Sequence, residues 1–132
     1  MDTKYIKTLA LSALAVFAPI KSAVVAVIVL TLTDLVTGVW AAHKRGEAIT
    51  SAGLRRTSSK LLIYQASIVL GFLTETFLVP DLPITKIVTG AVGLTEFKSV
   101  LENLEIISGQ PILKLILDKV TGVRPPKSSD VP

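Results

Sequence analysis

The chain has no cysteine and a single histidine, His43, in 132 residues. Disulfides and thiolate metal sites are therefore excluded, and a histidine-based metal site lacks its further ligands. There is also no nucleophile–base pair and no glycine-rich phosphate loop. Neither an enzyme nor a cofactor is expected from these residues. Half of the residues are hydrophobic, too apolar a balance for an ordinary soluble domain. The length fits one domain. The net charge of +4 would suggest nucleic acid in a soluble protein. In a membrane chain basic residues set topology instead, so no nucleic-acid partner is expected.

The longest apolar run, Ser22–Ala42, reads SAVVAVIVLTLTDLVTGVWAA and is long enough to cross a bilayer as a helix. Asp34 lies inside it. An ionised Asp at the centre of a spanning helix costs roughly 2.5–3.5 kcal/mol on insertion scales. That cost calls for a partner, a water-filled cavity or a use for the charge.

The pattern predicts an all-α membrane bundle of three to four transmembrane helices, about 5–20, 23–42, 61–79 and 84–103. A short amphipathic helix is expected over about 112–120, with Leu113, Ile116, Leu117 and Val120 on one face. Residues 1–121 form one domain in this reading, and 122–132 a disordered cytoplasmic tail. The first segment resembles a signal peptide in its Lys4, Lys7 and Leu9–Ile20 run. Pro19 and Lys21 replace the small residues of a cleavage site, so it reads as a retained helix, either spanning or lying in the interface.

The linker His43–Lys60 holds Lys44, Arg45, Arg55, Arg56 and Lys60 against one acid, Glu47. Thr50 or Ser51 is positioned to cap a short helix leading onward. The Pro80–Pro83 turn holds one acid and no base, and the tail holds Lys114, Lys119, Arg124 and Lys127. The positive-inside rule then places linker, tail and both termini in the cytoplasm of a multi-pass protein. The basic linker is also expected to face anionic lipid, at about 1 kcal/mol per base.

Taking the second span as Ala23–Ala42, Asp34 lies about 2 Å cytoplasmic of the midplane. On the antiparallel last span, Glu96 lies roughly 4 Å cytoplasmic of its centre. Two carboxylates thus reach similar depth. Together with Thr37 and Lys98 they are the intramembrane polar candidates. They either hold helices together by hydrogen bonds or line an aqueous path that opens when helices rearrange. Lys98 is spaced to pair with Glu102 at i+4. Gly38, Ser67, Gly71, Thr89 and Gly93 are small residues suited to close helix approach, within one chain or between chains. Glu75 near the outer end of its span reads as a snorkelling residue.

These residues resemble the phage lysis and toxin-secretion holin family. The resemblance rests on Asp34-x-x-Thr37-Gly38 at the end of the main span and the basic segment Lys44–Lys60. It continues in Glu96-x-x-Ser99-x-x-Glu102-Asn103 and Gly109-x-Pro111-Ile112, and covers roughly Leu30–Leu117. The chain departs from the family's pattern in its short outer turn and in Lys98. The resemblance implies a homo-oligomer in the bacterial cytoplasmic membrane. It implies lesions through which a lytic enzyme (an endolysin) or a toxin crosses. Two other readings stay open: a small proton-coupled exporter, against which the scarcity of aromatics speaks, and an anti-holin or membrane scaffold without pore activity.

Overall fold

The computed structural model describes residues 2–122 and is entirely helical there. The helices are α1 (Thr3–Val16), α2 (Lys21–Lys44), α3 (Ser51–Phe77), α4 (Ile84–Ser108) and α5 (Ile112–Thr121). A 3-10 turn, Ala18–Ile20, joins α1 to α2. All but Gly122 of the expected tail lies outside the described residues.

The breaks follow from local chemistry. Pro19 sits at the start of the 3-10 turn, where its missing N–H and fixed φ end α1 before the predicted residue 20. Gly109 closes α4 with φ +69° while its N–H donates to Glu105 O at 2.8 Å. An L side chain is strained in that left-handed region, so glycine suits the site.

The predicted linker is largely helix: α3 begins at Ser51, ten residues before the predicted span. Thr50 precedes it but makes no side-chain cap, contrary to the expected role. α4 and α5 begin after Pro83 and Pro111, neither of which has a capping side chain. A carboxylate from the preceding helix fills each role. Glu75 Oε2 accepts from the Thr85 N–H and Glu105 Oε1 from the Leu113 N–H, both at 2.7 Å. Glu75 is thus a helix cap, where the sequence suggested only a snorkelling side chain.

Helix α2 packs mainly on α4, α3 lies across both, and α5 rests on α4. Among the described residues α1 touches only the 3-10 turn and buries no side chain. One helical stretch, Ala18–Lys44, is long and apolar enough to cross a membrane. α3 and α4 match it in length, at 27 and 25 residues, but carry more polar groups.

The buried core is Ile20, Val27, Ile68 and Phe72, with the Phe17 and Phe72 rings tilted at 54°. Small residues mark the close approaches. A Cβ on Gly71 would meet Val88 Cγ2 at 3.5 Å, and one on Gly93 would meet Leu30 Cδ1 at 3.9 Å. Both are contacts within the chain.

Candidate functional site: a three-helix polar layer

Asp34 is reached from both neighbouring helices. On α3, Lys60 Nζ lies 3.0 Å from Asp34 Oδ2 and 3.1 Å from Glu96 Oε1 of α4. Tyr64, one turn beyond Lys60 and so on the same face, donates its hydroxyl to the same Glu96 oxygen at 3.0 Å. On α4, the Asn103 amide donates to Asp34 Oδ1 at 3.1 Å and to Thr37 Oγ1 at 3.2 Å. The Thr37 hydroxyl donates in turn to Thr33 O at 2.8 Å. One ammonium thus ties three helices together.

Glu96 is fully buried (0 % exposed), whereas the Asp34 and Lys60 side chains keep 17 % and 29 % of their exposure. Glu96 Oε2 is buried without a partner. With both carboxylates ionised, two negative charges face one positive charge and the layer carries a net −1. In a low-dielectric interior such a cluster is strongly coupled, and removing one member leaves an uncompensated charge.

A cavity of about 680 Å³ opens onto this layer. Leu35 and Val39 of α2 and Leu54 of α3 form its walls, and Asp34, Lys60 and Asn103 also line it. The Glu47–Thr50 segment borders its far end. There the Arg45 guanidinium donates to Glu47 at 2.7 and 2.9 Å and holds that carboxyl below its usual range.

The layer differs from the sequence expectation in its membership. Asp34, Thr37 and Glu96 come together, but Lys98 does not: it pairs with Glu102 on the exposed face of α4. Lys60, expected to face lipid with the basic linker, instead turns inward because α3 extends through it as continuous helix. Lys44 donates to Ile107 O at 2.7 Å, while Arg55 and Arg56 are exposed. Ser99 is half-buried, and Pro111 precedes α5.

Gly38 permits the Asn103 contact, since a Cβ there would lie 3.4 Å from Asn103 Nδ2. Ser67 spends its hydroxyl on Ile63 O. Thr89 Oγ1 is buried and unpartnered. Tyr64 was missed as a site residue. The signal that could have found it is its i,i+4 spacing from Lys60, which aims both side chains one way.

Residues 12–124 match the family described as the Bacteriophage holin family. The chain belongs to that family. No curated protein and no solved structure matches it. Members of this family are non-enzymatic proteins of the cytoplasmic membrane that form lesions for host lysis, in functional partnership with an endolysin. In a holin-family chain the polar layer gains a definite setting. It lies among helices of membrane length, and α2 directs Val25, Val29, Leu32 and Val36 outward.

Proposed function

We propose that this chain is itself a lesion-forming holin, and that the Asp34–Lys60–Glu96 layer holds its closed form together. The observation that carries the reading is that layer. It is a polar cluster linking three membrane-length helices whose outer faces are apolar. Within one chain it hides charge from lipid. When copies associate and the helices part, the same groups become a surface that water wets.

In this reading α2, α3 and α4 span the membrane and both termini lie in the cytoplasm. α1 (14 residues, about 21 Å) crosses by thinning the bilayer. The bases Lys44, Arg45, Arg55 and Arg56 lie at the inner leaflet, where anionic lipid attracts them. Homo-oligomers form the lesion, and a lytic enzyme or a toxin passes through it.

Inducible expression in a bacterium tests the proposal. Growth stops abruptly and the membrane potential collapses. Sustained growth with the chain abundant in the membrane overturns it in favour of an inhibitory partner or scaffold.

A further inference from the structure

A second cavity, of about 490 Å³, lies at the opposite end of the bundle from the first. Ile20, Phe72, Glu75, Thr85, Lys86 and Thr89 line it. Between the two cavities runs a sealed section of α2 and α3. Val27, Thr31 and Ile68 are there at most 1 % exposed. From Ala23 in the outer cavity to Asp34 in the inner one, α2 rises eleven residues, or about 16 Å.

The seal is not uniformly apolar. Thr85, Thr89, Glu96 and Asn103 are spaced by four, seven and seven residues on α4. That spacing keeps them within about 40° of one line along the helix. Thr85 and Thr89 touch the outer cavity, Asn103 the inner one, and Glu96 is buried between. Thr85 Oγ1, Thr89 Oγ1 and Glu96 Oε2 are all buried without partners, as are both amide atoms of Gln65 on α3. A buried unsatisfied polar atom costs about 1–3 kcal/mol, which a water molecule would relieve. A polar stripe joins the two cavities, interrupted where the core of Val27 and Ile68 packs with Val88 and Val92 of α4.

We infer that a single copy of this chain holds a narrow path for water and small monovalent cations, running along the α4 stripe and closed by the Val27–Ile68 constriction. The inference rests on the proposed orientation of α2–α4 across the membrane, and it is distinct from the large lesion between copies. Cations are favoured because two carboxylates share a single ammonium at the inner end of the seal. Apolar constrictions of this kind gate by excluding water.

The absence of native cysteine gives a clean background for the test. Leu35→Cys lies in the inner cavity near mid-membrane depth, Thr89→Cys in the outer cavity, and Leu94→Cys at similar depth on the exposed outer face of α4. In intact cells and inverted vesicles, a charged membrane-impermeant thiol reagent labels Leu35→Cys from the cytoplasmic side and Thr89→Cys from the outer side. Leu94→Cys stays unlabelled.

In liposomes at a protein-to-lipid ratio where crosslinking finds only monomers, Ile68→Ser raises potassium efflux about tenfold without releasing a large dye. Protection of both Leu35→Cys and Thr89→Cys overturns the path, as does labelling of Leu94→Cys equal to theirs. Unchanged efflux in Ile68→Ser that still shows the wild-type labelling pattern also overturns it. The lesion proposal is read separately. Growth arrest and dye release without monomer efflux sink only the path, and monomer efflux without growth arrest sinks only the lesion.

Discussion

The Lys60 ammonium lies 3.1 Å from Glu96 Oε1, joining a half-buried cation to a carboxylate with no exposure at all, 36 residues away. The same nitrogen holds Asp34 at 3.0 Å. Lys60 is thereby the α3 side chain that bonds α2 and α4 at once, and Tyr64 adds a second bond to α4.

Replacing Lys60 with Met leaves two facing carboxylates without their shared cation. The expected loss is about 3 kcal/mol, the lower end for breaking a buried pair, since Lys60 keeps some exposure. Lys60→Arg retains most of the stability. Thermal unfolding in detergent micelles reads the difference, and equal melting temperatures for Met and Arg would show that charge is not what Lys60 contributes.

Asp34→Asn keeps one carbonyl oxygen to accept from Lys60, while the Asn103 amide retains its contact with the residue 34 backbone O at 3.3 Å. Insertion and topology are therefore expected to stay as in the parent chain. The substitution leaves Lys60 facing one carboxyl, Glu96, in place of two, so the time from induction to lysis shifts. Lysis at the parental time, with equal membrane levels, would return Asp34 to a purely packing role.

Gly38→Leu and Gly71→Leu push into occupied space, at Asn103 and at Val88 with Ile84. Overpacking of this kind costs typically about 1–3 kcal/mol. Gly90 has nothing within 4 Å of a built Cβ, so Gly90→Ala is neutral or stabilising by up to about 1 kcal/mol through helix propensity. Melting temperatures of the three variants rank these outcomes, and a destabilised Gly90→Ala alongside a neutral Gly71→Leu would contradict the packing described here.

Glu105→Ala removes the acceptor for the Leu113 N–H, 2.7 Å away. Proline precedes α5 and cannot replace that cap. The expected cost is about 1 kcal/mol, confined to the first turn of α5. Amide hydrogen exchange over residues 113–116 should quicken several-fold, while α2 and α4 stay protected. Unchanged exchange there would show that packing on α4 alone holds α5.

Much of the fold was legible because its signals are local. The apolar run around Asp34 reads as a spanning helix whatever it packs against, and Pro19 and Gly109 end their helices by backbone geometry. The start of α3 was less legible. Its first ten residues are mostly polar and basic and look like a linker, yet with no proline between Ser51 and Lys60 nothing in the backbone prevents the helix from running back to Ser51. That extension turned Lys60 from a linker residue into a helical one, facing the same way as Tyr64.

Taken alone, the sequence determined that long helices form around the apolar runs, that Pro19 and Gly109 end two of them, and that Asp34 sits inside the most apolar one. Those properties depend on residues a few positions apart and on length measured against a bilayer. Only the tertiary structure decided which cation meets the Asp34 and Glu96 carboxylates. Lys60 and Lys98 are both lysines within long helices of the same bundle. The difference is that α3 turns Lys60 toward α2 and α4, while α4 packs with Glu96 inward and so points Lys98 outward to Glu102. The choice of partner is a property of helix faces in contact, set by where Gly38, Gly71 and Gly93 allow the helices to approach.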